Sequence, residues 1–275
     1  MLPARVDLYD NAYSKYGEDV YCKVRIETYG EDLGQTSWVS REEAGDIPRL
    51  LQLQPASNVL EIGCGSGRFG LRLAETVGCE IVGLDVNPHG VENANHLAAA
   101  AKLEGRARFQ QCDASQVLPF DDASFHAAFA NDVLCHVRGR ASVFEQVFRV
   151  LRPGGRLLFS DALVIGGLIS HEEIATRSSI GYYLFSPAGE NERLLGGAGF
   201  TVLMARDTSA GSAQIAQRWY EARKKFGTEL MAMEGEPAFE GLQRFLDCVY
   251  RLTSEGRLRR YLYLAEKPAS TRVSS

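Results

Sequence analysis

Short apolar runs alternate with longer stretches of helical periodicity between residues 58 and 159. The apolar runs lie at residues 58–62, 80–84, 107–112, 125–130 and 155–160. Such alternation is typical of βα units, in which a helical crossover joins parallel strands and helices cover both faces of the sheet. Two more apolar runs follow, at residues 200–205 and 258–264. The sequence therefore predicts an α/β fold with a doubly wound, mostly parallel seven-stranded sheet.

The segments outside this core define the expected domain organisation. Residues 1–45 are aromatic and mixed in charge, and we expect them to form an N-terminal helical lid segment. Residues 46–275 would form the main domain. Within it, two series of apolar residues at three-to-four spacing predict two helices inserted at about 209–255, before the last strand. This insertion could serve as a substrate lid or as core packing.

Charge, apolar runs and cysteine spacing argue against several classes of function. The net charge is −5, with both signs mixed along the chain, which disfavours a nucleic-acid substrate. The start has no apolar run of signal-peptide type, and the stretch at 157–169 is too short to span a membrane, so we expect a cytoplasmic protein. The six cysteines form no Cys-x-x-Cys pair, so neither a metal site nor disulfides are expected. A monomer and a homo-oligomer are both compatible with the sequence.

A glycine-rich loop joins the first strand to the following helix. The loop contains three glycines at alternate positions, Gly63, Gly65 and Gly67. Glycines let the backbone approach a ligand closely at a helix N-terminus. The dinucleotide fingerprint needs a third glycine three places after the second, where this chain has Arg68. A shifted match that ends at Gly70 is detached from the strand, so a nicotinamide-dependent oxidoreductase is the rival from another class.

The loop resembles the first motif of the class I S-adenosylmethionine-dependent methyltransferases, Glu-x-Gly-x-Gly-x-Gly. Later landmarks of that family follow in order across residues 58–161, including segments that match at 118–121 and 151–155. The resemblance implies that Asp85 holds the ribose hydroxyls of S-adenosylmethionine and that Asp113 reads the adenine. The full set of cofactor-binding residues that it implies is Gln35, Trp38, Glu61, Gly63, Gly65, Gly67, Asp85, Val86, Asp113, Ala114 and Asn131.

Two candidate catalytic residues follow the fourth strand. Asp132 and His136 are four residues apart and would share a face if the segment were helical. Asp132 could attract an ammonium group, and His136 could accept a proton from the reacting group. An unperturbed His136 would give a rate that rises through about pH 6–7. We therefore expect methyl transfer to a small molecule, preferably to nitrogen. Methylation of oxygen or carbon is the nearest alternative, and a catalytically inactive binding protein is disfavoured by the intact pair.

The Asp-x-x-x-His segment also resembles that of phosphoethanolamine and sarcosine/dimethylglycine N-methyltransferases. In those enzymes an N-terminal helix closes over the site and a tyrosine on it pairs with the histidine, a role that the resemblance gives to Tyr16. Ala162 stands where the phosphoethanolamine enzymes have a phosphate-contacting tyrosine, which disfavours a phosphorylated substrate. The remaining candidates, for binding an anionic or aromatic substrate, are Arg177, Tyr182 and Tyr183.

Overall fold

The computed structural model describes residues 8–34 and 36–269. Its strands are β1 (Asn58–Ile62), β2 (Glu80–Asp85), β3 (Ala107–Gln111), β4 (Phe125–Ala130), β5 (Leu151–Ile165), β6 (Ser186–Pro187), β7 (Thr201–Asp207) and β8 (Leu258–Glu266). Seven of these described strands lie side by side in the order β3-β2-β1-β4-β5-β8-β7, and the two-residue β6 pairs with β5. Within this path β8 runs antiparallel to its neighbours β5 and β7. The predicted doubly wound, mostly parallel sheet of seven strands is confirmed, with β6 as an addition.

The helices of the described chain cover both faces and one end of the sheet. They are α1 (Leu8–Ser14), α2 (Asp19–Tyr29), α3 (Arg41–Leu50), α4 (Arg68–Thr76), α5 (Pro88–Ala100), α6 (Arg140–Val150), α7 (His171–Arg177), α8 (Glu190–Gly197), α9 (Ser209–Lys225), α10 (Gly227–Glu234) and α11 (Glu236–Ser254). Local sequence sets where several begin. Ser40 and Glu43 form a reciprocal capping box at the start of α3. Because α3 continues through residue 45, the structural break after the lid segment lies at Ser40.

The two faces of the sheet bury separate hydrophobic clusters, because successive strand residues point to opposite sides. Leu60 packs in one cluster with Phe144 of α6. Its neighbour Val59 packs in the other with Leu71 of α4. None of the described helices combines the length and the apolar character needed to cross a membrane.

The insertion before β8 consists of three helices, α9, α10 and α11, where two were predicted. The chain breaks between α9 and α10 at Phe226. The apolar spacing continues through this break, because Phe226 and Leu230 both pack in one cluster, and the sequence pattern therefore hides it. The same cluster contains Val24 of α2 and the rings of Trp38 and Trp219. The insertion thus packs against α2.

A buried ion pair joins α6 to the end of β5, close to the segment that follows β4. Arg140 Nη1 lies 2.6 Å from Asp161 Oδ2 and also donates to Ser186 and Asn191. Arg140 Nε donates to the Leu134 carbonyl at 3.2 Å. Arg140 therefore links the strand end to the turn that carries the candidate catalytic histidine.

Candidate active site

A cavity of about 1020 Å³ opens at the carboxyl ends of β1, β2 and β4. The order of strands reverses between β1 and β4, and ligands of open α/β sheets bind at such a point. The sequence-predicted residues that line the cavity are Trp38, Glu61, Gly63, Gly65, Asp85, Val86, Asp113, Ala114, Asn131, Asp132, His136, Arg177, Tyr182 and Tyr183. Gln35 lies outside the described residues, while Gly67 and Tyr16 are not part of the lining.

The three loop glycines have φ angles of 69°, 50° and 74°, in the left-handed region that side chains rarely adopt. Gly63 and Gly65 lie at the cavity wall. Gly67 begins α4, and a Cβ there would lie 2.8 Å from the ring of Phe109 on β3. The glycine at position 67 is therefore required by the close packing of α4 on the sheet, and not by an approach of the ligand.

Asp85 ends β2 with its carboxylate directed at the glycine loop. Its two oxygens accept hydrogen bonds of 2.8 Å, one from the Gly65 N–H and one from the Asn87 N–H. Burial raises the pKa of Asp85. Each carboxylate oxygen has a further lone pair, so the group could still accept from hydroxyls of a ligand.

The side of the cavity formed by β2 and β3 combines an apolar surface with a carboxylate. Val86 is 62% exposed and would offer an apolar surface to a flat ring. Asp113 accepts from the N–H and the hydroxyl of Ser115 at 2.9 and 2.7 Å, and these hydrogen bonds lower its pKa. Ala114 is buried beside it.

Helix α1 covers the cavity and carries the tyrosine that contacts His136. The Tyr9 hydroxyl lies 2.8 Å from His136 Nε2. Tyr13 packs over Gly65, and its carbonyl accepts from Asn93 of α5 at 2.8 Å, which holds the helix down. Tyr16 does not line the cavity.

The assignment of Tyr16 to His136 is therefore wrong. Tyr16 follows the end of α1 and lies beside the guanidinium groups of Arg25 and Arg68, 4.5 and 5.6 Å from its ring centre. Tyr9, Tyr13 and Tyr16 have the spacing of one helical face, which was a usable signal for an aromatic lid. That spacing alone does not reveal that the helix ends at Ser14 before reaching Tyr16.

Asp132 does not share a helical face with His136. Its φ of 57° turns the chain sharply after β4, and Leu134–His136 forms a short 3₁₀ turn. One carboxylate oxygen of Asp132 accepts from Arg260 Nε at 2.9 Å and the other from the Trp38 N–H at 2.8 Å. The carboxylate is thus paired with a buried cation, which weighs against its predicted role as the counter-charge of an ammonium substrate.

The contacts of His136 favour its neutral form. Nδ1 lies 3.0 Å from the Tyr182 carbonyl, which can only accept, so Nδ1 carries the proton and the Nε2 lone pair accepts from Tyr9. Burial lowers the pKa of His136 to about 4, although the hydrogen bond to Tyr182 opposes this, and the charge of Arg177 lowers it further. This lowered pKa departs from the expectation of an unperturbed histidine that titrates at pH 6–7.

Arg177 is a buried arginine with an incomplete set of hydrogen bonds. It is 1% exposed, and its guanidinium lies 4.7 and 4.9 Å from the ring centres of Tyr183 and Phe245. Among the described residues its Nη1 has no hydrogen-bond partner. The Tyr183 ring also lies 4.5 Å from that of His136. A cation surrounded by aromatic rings thus lies close to His136.

The comparisons with known proteins agree with this geometry. Residues 53–181 match a family model described as a methyltransferase domain. The chain is 30% identical over 222 residues to 27-O-demethylrifamycin SV methyltransferase from Amycolatopsis mediterranei, covering 76% of this chain and 80% of that one. The chain belongs to the class I S-adenosylmethionine-dependent methyltransferases. It is an enzyme that uses S-adenosylmethionine, and the oxidoreductase and inactive-protein alternatives are excluded.

Two further relatives of this methyltransferase carry the N-methyltransferase name. Phosphoethanolamine N-methyltransferase of Triticum aestivum is 25% identical over 248 residues, 90% of this chain and 48% of the wheat protein. In fold, the chain matches phosphoethanolamine N-methyltransferase 2 of Haemonchus contortus, solved with phosphomonomethylethanolamine and S-adenosylhomocysteine. That match has a TM-score of 0.79 and 20% identity, covering 93% of this chain and 59% of the other.

The cavity of this methyltransferase fits the polar part of its cofactor. Glu61 Oε2 and Asn131 Nδ2 are buried, line the cavity and have no hydrogen-bond partner among the described residues. Burial raises the pKa of Glu61. An acceptor and a donor left unpaired beside the glycine loop suit a ligand with an amino acid end. No group of three or more candidate metal ligands occurs in the described part of the chain.

Proposed function

We propose that the protein transfers the methyl group of S-adenosylmethionine to a hydroxyl oxygen of a small metabolite. One observation carries this proposal: the cavity contains a neutral histidine base, while the carboxylate of Asp132 is paired with Arg260. A hydroxyl needs a base to remove its proton, whereas an ammonium substrate needs a free counter-charge as well. Oxygen, the alternative acceptor in the sequence, is therefore favoured over nitrogen.

When bound, the cofactor supplies the electrophilic methyl group. His136 Nε2 takes the proton of the acceptor hydroxyl through Tyr9, whose hydroxyl accepts from the acceptor while donating to the histidine. Burial raises the pKa of Tyr9 well above its usual value. The tyrosine therefore gives its proton to His136 only as it receives the proton of the acceptor hydroxyl. Covered by α1, the site excludes water and aligns the acceptor, which lowers the entropic part of the barrier.

The proposed cofactor-binding residues follow the cavity wall. Asp85 would accept from the ribose hydroxyls, and Val86 and Ala114 would contact the adenine beside Asp113. The methionine part of the cofactor would lie on the opposite side of the glycine loop from the adenine. The cavity residues there are Trp38, Glu61, Gly63, Gly65 and Asn131. Gln35 keeps its predicted role at that end, outside the described residues.

The proposed acceptor has an aromatic or anionic portion. The unpartnered Nη1 of Arg177 could donate to an oxygen of the acceptor, and the Tyr183 ring could stack on it. Tyr182 is 36% exposed at the cavity mouth, where it lies under Arg138. The net charge of −5 supports a metabolite over a nucleic acid.

The names of the relatives bear on the choice between oxygen and nitrogen as the acceptor atom. The rifamycin relative, which the chain covers for 80% of its length, is named a methyltransferase of 27-O-demethylrifamycin SV. Nitrogen stays a second candidate, because the wheat relative is named for a nitrogen acceptor and this chain has a tyrosine hydrogen-bonded to its histidine. The paired Asp132 weighs against nitrogen, and the alanine at position 162 weighs only against a phosphorylated acceptor.

The acceptor atom can be identified by following the transferred carbon. The protein should be incubated with a metabolite extract and S-adenosylmethionine carrying ¹³C in its methyl group, and products compared with an otherwise identical His136→Ala reaction. We expect a labelled product whose ¹³C chemical shift is that of an O–CH₃ group. A product labelled at N–CH₃ or C–CH₃ would contradict the oxygen assignment while leaving the methyltransferase activity established.

Asp85→Ala should weaken binding of S-adenosylhomocysteine by roughly ten- to a hundredfold. The loss corresponds to about 1.5–3 kcal/mol for charge-assisted hydrogen bonds to a carboxylate. Calorimetry measures it directly, with no acceptor present. The control is Asp122→Ala, an exposed carboxylate paired with Arg149 outside the cavity. Parental affinity in Asp85→Ala would show that the ribose is held elsewhere.

A further inference from the structure

Arg260 of β8 is a buried cation between two carboxylates, behind the wall of the cavity. It is 1% exposed. Its Nε donates to Asp132 at 2.9 Å, and its Nη1 donates to both oxygens of Glu43 at 3.0 and 2.8 Å and to Thr208 at 2.7 Å. Arg260 itself does not line the cavity, whereas Asp132 does.

Both carboxylate oxygens of Asp132 accept a hydrogen bond from a neighbouring group. Arg260 and the Trp38 N–H each occupy one oxygen, and both bonds lie within a buried region. The charge of Asp132 is partly offset by Arg260, which also pairs with Glu43, and the position of the carboxylate is held by both donors. The other charged side chains that line the cavity are Glu61, Asp85, Asp113, Arg138 and Arg177, and Glu43 is the second partner of Arg260.

We propose that Arg260 is a specificity-determining residue that sets the charge preference of the acceptor site. By pairing with Asp132 it prevents this carboxylate from binding a cationic group, so the site admits hydroxyl-bearing acceptors and discriminates against ammonium compounds. The inference rests on the proposed methyl transfer to a hydroxyl, but its test needs no acceptor. A failure of the oxygen assignment and a failure of this inference are therefore distinguishable.

The probe is sinefungin, a cofactor analogue with an amine-bearing carbon where S-adenosylmethionine has its methylated sulfur. Its affinity relative to S-adenosylhomocysteine, measured by calorimetry, reports the electrostatics beside the reacting position. In Arg260→Gln the freed Asp132 should raise this ratio by about tenfold or more, as expected for a new charge-assisted hydrogen bond. A purely structural role would weaken both ligands equally and leave the ratio unchanged.

Three further variants make the result specific. Arg260→Gln combined with Asp132→Asn should return the ratio to the parental value, and Arg259→Gln, the exposed neighbour on β8, should not change it. If Arg260→Gln does not fold, the single variant Asp132→Asn tests the proposal. Because Asp132 is already paired in the parent, the ratio of sinefungin affinity to S-adenosylhomocysteine affinity in Asp132→Asn should stay within about twofold of the parental value. A twofold change is smaller than the effect of one hydrogen bond. An unchanged ratio in folded Arg260→Gln, or a tenfold fall in Asp132→Asn, overturns the proposal.

Discussion

His136→Ala is expected to slow methyl transfer by about 10²–10⁴-fold, the usual contribution of a general base. In the proposed mechanism, the lone pair of His136 Nε2 takes the acceptor proton through Tyr9, to which it is hydrogen-bonded. Binding of S-adenosylhomocysteine should remain near parental, because the variant leaves the glycine loop and Asp85 in place. Single-turnover rates with the acceptor found in the labelling experiment measure the chemical step without product release.

The pH dependence of the parent enzyme distinguishes a buried base from an ordinary one. With the pKa of His136 lowered to about 4, the histidine stays neutral from pH 8 to 6, and the rate should fall only as the pH falls through about 4. The stability of the folded protein should also decrease as the pH falls. The unfolded chain binds this proton near pH 6.5 and the folded chain near 4, so stability declines as the pH falls between these values.

Two results would contradict the assignment of His136. One is a parental single-turnover rate in His136→Ala at every pH. The other is a ring proton resonance of His136 that titrates near pH 6.5 in NMR spectra of the folded protein. His96→Ala, an exposed histidine on α5, is the matched control and should leave both the rate and its pH profile unchanged.

Arg140→Met is expected to destabilise the protein by about 3–5 kcal/mol, which is the cost of leaving one member of a buried pair alone. Asp161 is fully buried, and Arg140 lies 2.6 Å from it. Methionine keeps much of the apolar stem while removing the charge. Chemical denaturation should show the loss directly, and the melting temperature should fall by roughly 6–20 °C.

A double variant separates the charge from the packing. Arg140→Met combined with Asp161→Leu should recover most of the lost stability, since an apolar pair can replace a buried ion pair at little cost. Arg193→Met breaks the exposed pair with Glu190 and should change stability by less than about 1 kcal/mol. A loss in Arg140→Met no larger than in Arg193→Met would show that Asp161 is satisfied by its other partners, among them Asn191.

The fold and the cofactor loop could be predicted because their signals are local. Strand runs, helical periodicity and the glycine loop each lie within a few tens of residues, and β1, β2 and β4 occur where the apolar runs predicted them. The break at Phe226 could not be predicted because the apolar spacing continues from α9 into α10. A pattern of burial does not record where one helix ends and the next begins.

The roles at the reacting end depended on contacts between residues far apart in the chain. Tyr9 contacts His136 across 127 residues, and Asp132 pairs with Arg260 across 128 and with Trp38 across 94. No local pattern specifies which of several tyrosines or arginines arrives at such a distance. The positive φ of Asp132 likewise results from the turn that its buried partners stabilise.

By itself the sequence determined that this protein is an α/β methyltransferase with a glycine loop at the end of β1, because periodicity and motif spacing act over short distances. Only the tertiary structure decided the chemical state of the reacting groups. Burial lowers the pKa of His136, and Arg260 pairs with Asp132, because desolvation and ion pairing depend on every element packed around a group.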